Sequence, residues 1–353
     1  MSAPRESSSL TPAVSGRRLL VFSLIFIGLT GLGLWLVYAS FAQQSLSFDE
    51  RLIQPQTLAA LAALLAVYFL ADGLRLYFTL RTLGHSIPLP ALFKLVFINL
   101  FFSNVTPLAT GGGFAQIWYL QKQGVPLGDA TAATTLRTLL AVVFIFSLTP
   151  VFLLTLPALQ GEDLLSNLGQ TLAVFILLYL GFFTLLLVRS HWLLPPLDGL
   201  LLLLRNFTLI SDQRQRLWRF KIRRELLRFS ASFRRFLQGS PLWISLAAGF
   251  TAVFLLSLFS FPALLIYFLG YSVDYLTSLG LLVVTTFIMY FAPTPGAAGI
   301  SEGVFGSFFR ELLGSNHLLL VILAWRLVTI YLGMLIGFIL LQKDLIRSWK
   351  KTS

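Results

Sequence analysis

The chain carries six long, mainly apolar runs, at residues 19–41, 57–80, 130–156, 168–188, 242–269 and 317–341. Each is about as long as the roughly 20 residues that an α-helix needs to cross a hydrocarbon core about 30 Å thick. A soluble domain has about 25% charged residues; this chain has 11%, with 57% hydrophobic. Those figures exclude a water-soluble enzyme, a disordered chain and a nucleic-acid binder. The net charge of +12 therefore needs another cause, and the lysines and arginines lie mainly between the apolar runs, as they do in polytopic membrane proteins. There is no cysteine, hence no disulfide, thiolate metal site or cysteine nucleophile. His85, His191 and His317 are scattered, and no metal or cofactor is expected. The first run is too long for the core of a cleavable signal.

Two further apolar stretches are interrupted. Residues 90–103 run into Asn104-Val105-Thr106-Pro107 and then Gly111-Gly112-Gly113. Residues 275–292 run into Pro293-Thr294-Pro295-Gly296 and then Gly299. The helix-compatible pieces that follow, 114–122 and 301–313, are too short to cross a membrane at about 1.5 Å per residue. Irregular backbone survives at membrane depth only when buried in protein or beside a wet cavity. Both stretches therefore read as re-entrant hairpins, over 89–123 and 274–313; the alternative is two ordinary helices joined by surface loops. The fold class is an all-α polytopic membrane protein with six full spans and two hairpins.

With the N-terminus in the cytoplasm, all but five of the lysines and arginines fall inside: Arg51 and Arg310 lie outside, and Arg75, Arg137 and Arg326 lie within spans. That bias sets topology and puts both termini in the cytoplasm. The chain then divides into a polar tail at 1–16, one membrane domain at 17–343 and a tail at 344–353. Within the domain, 17–157 runs span, span, hairpin, span, and 168–343 repeats that order with each direction reversed. Gly/Pro-interrupted segments at matching places of inverted halves point to a transport site at the midplane.

Ionisable groups inside spans mark candidate sites, because a charge at a helix centre costs about 2.5–3.5 kcal/mol on insertion scales. Arg326 sits deepest and Arg137 lies early in its span; both are expected to face the interior. Asp72 and Arg75 are three residues apart on one helix face, where they can neutralise each other, and snorkelling is the favoured reading for Arg75. Glu302 either caps a half-helix N-terminus or pairs with Arg137 or Arg326. Asn104, Thr106, Gln116 and the glycines Gly111 and Gly112 are expected at the first break, where backbone donors and arginines could meet a phosphate. The segment 190–240 alternates basic and apolar residues around Trp218, Ile222, Leu226 and Phe229. It reads as one or two interfacial helices facing anionic lipids, or as a topology anchor. No catalytic constellation and no nucleotide loop is visible, so transport would be driven by a gradient or would equilibrate its substrate.

Three ordered motifs make the chain recognisable. Asn104-Val105-Thr106-Pro107-Leu108-Ala109-Thr110-Gly111-Gly112, followed by Gln116, Lys122, Gly124 and Pro126, resembles the first signature of the lysylphosphatidylglycerol synthase transmembrane-region family. Pro293 to Gly303, with Pro295, Gly296, Gly299 and Glu302, resembles its second signature. Trp325-Arg326-Leu327-Val328-Thr329 with Gly333 and Gly337 is similar to its final-span motif. The acidic neighbours that the family tends to show around Arg137 are replaced by Leu136 and Thr138. The resemblance implies a bacterial inner-membrane protein that moves lipids between leaflets, here without the aminoacyltransferase domain fused to some members. It implies a phospholipid or lipid-linked substrate whose headgroup meets Arg326 and Arg137, and a separate lipid-synthesising enzyme as a partner. The competing class is a membrane-embedded lipid-modifying enzyme, or an accessory subunit of one, with Glu302 as acid or base.

Overall fold

A computed structural model describes residues 47–159 and 212–352, with single positions elsewhere. The runs expected at 19–41 and 168–188, the tail at 1–16 and most of 190–211 lie outside the described residues. Among the described residues the fold is helical, with no strand. Four helices are long and apolar enough to cross a membrane: Pro55–Thr82, Leu127–Thr155, Pro241–Phe268 and Ser315–Lys343. They coincide within a few residues with four of the six expected spans.

Proline punctuates the chain. Pro55 opens α1 (Pro55–Thr82) and Pro241 opens α6 (Pro241–Phe268) in the first helical turn, where its missing N–H costs nothing and its φ is already helical. Pro90 does the same for α2 (Leu89–Val105). That helix breaks at Thr106 and the chain resumes as α3 (Thr110–Lys122), which packs back along α2. α4 (Leu127–Thr155) and the basic helix α5 (Asp212–Leu237) follow. After α6, α7 (Tyr275–Met289) breaks and α8 (Ile300–Phe309) packs back against it. The last span is α9 (Ser315–Arg326), one widened π-turn over Leu327–Tyr331, and α10 (Leu332–Thr352). The residues expected to form a C-terminal tail thus continue the last helix as far as Thr352.

Contacts at the two ends of the bundle give the direction of each helix. At one end, Arg51 ahead of α1 donates to the Leu269 carbonyl just past α6 at 2.6 Å, and Asn316 at the start of α9 bonds Ser47. His317 bonds Asp49 there at 3.1 Å, and Arg51 holds the Asp49 carboxyl well below the usual carboxylate range. At the other end, His85 past α1 meets Asp129 at the start of α4 at 2.8 Å. Arg235 near the end of α5 donates to the same carboxylate at 2.9 Å. α1 and α6, the most extensively packed pair, therefore run antiparallel. α4 starts at the end opposite the one where α9 starts, and each hairpin enters and leaves at one end of the bundle, the two at opposite ends. The helix order long, hairpin, long thus occurs twice with opposite directions.

Close approach seats the hairpins. A Cβ on Gly337 of α10 would stand 2.1 Å from the Phe97 carbonyl oxygen of α2, and one on Gly333 would stand 2.8 Å from Leu100 Cδ1. Small residues at this i, i+4 spacing let two membrane helices touch backbone to side chain. In the first hairpin a Cβ on Gly112 would meet Ser103 Oγ at 1.8 Å. The glycine run expected to be loop is therefore the first turn of α3: packing against α2 outweighs poor helix propensity, which is worth only about 1 kcal/mol per glycine.

Candidate functional site

The two hairpin breaks meet near the middle of the bundle, and they share a backbone. Each is Thr-Pro followed by a tight turn, Pro107–Ala109 in one and Pro295–Ala297 in the other. In both turns the residue after proline and the alanine after that have left-handed φ: 52° and 53° at Leu108 and Ala109, 58° and 55° at Gly296 and Ala297. The Ala109 N–H donates to the Thr106 carbonyl at 3.3 Å, and Ala297 to Thr294 at 3.0 Å. The second tip has glycine where the geometry favours it; the first has leucine. A β-carbon in that region costs about 1–2 kcal/mol, so Leu108 stores strain that Gly296 does not. Gly296 faces Asn104, whose Oδ1 would lie 3.0 Å from an added Cβ.

Both half-helix N-termini are capped from within. Thr106 Oγ1 donates to the Phe102 carbonyl at 2.7 Å and accepts from the Gly111 N–H at 2.8 Å. Glu302 Oε2 accepts from the Gly299 N–H at 2.7 Å and from Ser301 Oγ at 2.8 Å. Glu302 Oε1 lies 2.6 Å from Arg326 Nε, and Arg326 Nη2 donates to the Gly296 carbonyl at 2.8 Å. Both side chains are about 2% exposed. Phe305 packs beneath, stacked on Phe309 and on Trp325 with ring centroids 4.2 and 5.2 Å away. Glu302 thus performs both roles that its position allowed, cap and ion-pair partner.

A second buried charge cluster lies between α1 and α4. Asp72 Oδ1 accepts from Arg75 Nε at 2.7 Å and from Arg137 Nη2 at 2.5 Å. All three are buried, at 2%, 7% and 4% exposure. The Arg75 guanidinium sits 3.8 Å from the centroid of the Phe254 ring on α6, a contact worth about 0.5–2 kcal/mol. Arg75 therefore does not snorkel: a carboxylate one turn away and an aromatic face hold it inside. The acid missing beside Arg137 in its own helix is supplied across the bundle by Asp72. One carboxylate serves two guanidiniums, and Arg75 Nη1 and Arg137 Nε are buried without a hydrogen-bond partner.

A cavity of about 640 Å³ joins these features. Arg75 and Arg137 are in its wall with Asn104, Gln116, Leu108 and Gly296. Neutral hydroxyls and amides stand nearby at Asn99, Ser103, Thr134, Thr135 and Thr138. Apolar side chains at Val142, Ile145, Phe254, Leu258 and Met289 complete it. Leu108, Thr138 and Tyr290 are exposed lining residues, so the space opens beyond the protein. Of the residues singled out in the sequence, Asn104, Gln116, Arg137 and Gly296 meet in this wall. Thr106, Pro107, Pro295 and Gly299 shape the tips behind it, Gly111 and Gly112 seat the hairpin arms, and Glu302 and Arg326 lock the second tip. Arg75 was underrated, and Asn99 and Ser103 were missed. The signal for Arg75 was present in the intramembrane Asp72/Arg75 pair; for Asn99 and Ser103 it was the i, i+4 polar spacing that continues into the break.

The fold defines a multi-pass helical membrane protein with two facing broken hairpins. More narrowly, the chain belongs to the family described as the lysylphosphatidylglycerol synthase TM region, whose pattern matches residues 18–337. It is also similar to a UPF0104 membrane protein of Archaeoglobus fulgidus, at 24% identity over 293 residues, which is 82% of this chain and 88% of that protein.

Proposed function

We propose that this protein is a lipid translocase that takes an anionic, phosphate-bearing headgroup into the cavity between the hairpin tips and passes it from one leaflet to the other. The observation that carries the reading is the pair Arg75 and Arg137 sharing Asp72 in the cavity wall. Buried ion pairs normally match charges one to one, because an uncompensated charge in low dielectric is costly. A wall with two guanidiniums and one carboxylate is completed by an anion, and guanidiniums suit phosphate oxygens. The hydroxyl and amide groups beside them fit the polar remainder of a headgroup, and the exposed mouth leaves acyl chains in the bilayer.

In this reading the hairpins are re-entrant, the membrane is the cell's inner membrane, and both termini are cytoplasmic, an orientation that the distribution of basic residues supports. The basic helix α5 lies on the cytoplasmic face, where Leu217, Trp218 and Phe220 are exposed and arginines attract anionic lipids at about 1 kcal/mol each. A separate enzyme makes the lipid. Glu302 acts as a strut and not as an acid or base, since its carboxylate oxygens face Gly299, Ser301 and Arg326. The test is headgroup movement in proteoliposomes that contain this protein alone. Fluorescent phospholipid in the inner leaflet should become accessible to an impermeant quencher, unchanged in mass, and Arg137→Gln should slow this at least about tenfold, the scale of one lost charge-assisted contact. Movement at the wild-type rate by that variant would sink the proposal, and a chemically altered lipid would favour the enzyme.

A further inference from the structure

The charges that face the cavity do more than favour an anion. Among the described residues its wall holds two arginines, and the one carboxylate in contact with them is Asp72. The other lining residues are neutral, Tyr290 among them. The pair Glu302–Arg326 behind the second tip is balanced one to one and contributes no net charge. The wall therefore carries one surplus positive charge, held by side chains more than nine-tenths buried.

We infer that the site selects a phosphodiester monoanion over a phosphomonoester dianion, and that Asp72 is the residue that sets this choice. The inference rests on the anion-site reading above. A monoanion brings the wall to neutrality. A dianion leaves a negative charge uncompensated beside apolar side chains such as Val142, Ile145 and Leu258, which is the costly condition in a low-dielectric site. A headgroup without phosphate leaves the surplus unmet. Asp72 acts by subtraction: its single charge neutralises one of two guanidiniums and leaves the charge of the other to the ligand. Both guanidiniums contact the one carboxylate oxygen and both residues line the cavity, so the ligand's oxygens and the carboxylate compete for the same two cations. Either arginine alone with Asp72 would make a closed pair and no anion site.

The experiment is a titration of the full chain in neutral detergent micelles at pH 8, where a phosphomonoester with a second ionisation near about 6 is a dianion. The probes are dihexanoyl phosphatidylglycerol, dihexanoyl phosphatidic acid and dihexanoylglycerol. Glycerophosphoglycerol, the same diester headgroup without chains, separates a lipid site from a site for free phosphodiesters. Wild type should bind the diester lipid at least about tenfold more tightly than the monoester lipid and should not bind dihexanoylglycerol measurably. Asp72→Asn raises the surplus by one and should invert the preference. Arg75→Gln removes the surplus and should weaken both phosphate lipids. The double variant D72N/R75Q restores one surplus charge and should restore the diester preference. Equal binding of both phosphate lipids by wild type, or a double variant that fails to recover the preference, would overturn the charge-counting inference alone. Binding of neither phosphate lipid by wild type would overturn the anion site itself. Should D72N not fold, as judged by its melting curve, R75Q with unchanged diester affinity would still refute the inference.

Discussion

Each half of the molecule ends in a long helix with a buried arginine, and the two arginines have different surroundings. Arg326 is matched by one carboxylate, Glu302, and donates also to the Gly296 carbonyl, so it ties the second tip to the last span, with its Nη1 left without a hydrogen-bond partner. Arg137 shares Asp72 with Arg75 and faces the cavity. Position in the repeat is the same; counter-ion stoichiometry is not. In the proposed reading the one-to-one pair is a strut and the two-to-one cluster is the receptor. The tips differ in the same sense. Gly296 adopts its left-handed conformation freely, whereas Leu108 is held there under strain while lining the cavity. Strained backbone concentrates where a site or a moving part lies. The two tips thus differ in backbone strain as well as in charge pairing.

The largest expected effect tests the strut. Arg326→Ala leaves Glu302 buried without its cation and should cost about 3–5 kcal/mol, seen as a large fall in melting temperature in detergent. An unchanged melting temperature would place Arg326 outside the structural core. Arg137→Gln should be milder in that assay, about 1.5–3 kcal/mol for a hydrogen bond between charged groups, since Asp72 keeps Arg75. Its main effect falls on headgroup movement, so the two variants should separate stability from transport. If both lose stability equally, the contrast between strut and receptor fails.

Gly337→Ala tests how closely α10 must approach α2. The added Cβ would overlap the Phe97 carbonyl oxygen, and the resulting shift should cost about 1–3 kcal/mol; a neutral result would show that the helices can separate freely. The smallest effect concerns the tips themselves. Leu108→Gly relieves about 1–2 kcal/mol of strain against about 0.5–1 kcal/mol of added chain entropy, so stability should rise slightly or hold. Gly296→Ala should lower it by about 1 kcal/mol and crowd Asn104. Equal responses of the two tips would erase the asymmetry proposed for them.

Much of the architecture was legible in the sequence because it is local. An apolar run of a given length makes a spanning helix whatever its neighbours, and Thr-Pro followed by small residues breaks one. Thus the four long helices and both breaks stood close to where hydropathy and proline put them. The start of α3 was misplaced because three glycines weaken helix propensity, while the packing that outweighs it comes from Ser103 and Asn99 on another helix. The candidate site was half legible. Asn104, Gln116, Arg137 and Gly296 were marked by their chemistry, but Arg75 was read as a surface-seeking side chain and Arg326 as the deepest ligand.

The sequence by itself determined that this chain belongs in a membrane, and where four of its long apolar helices and both breaks fall, since these follow from composition and spacing along one strand of chain. Only the tertiary structure decided which cation met which carboxylate. Asp72 reaches Arg137 across 65 positions and Arg326 reaches Gly296 across 30. No local pattern encodes those distances, and in a medium of low dielectric that pairing decides whether a buried charge braces the fold or waits for a ligand.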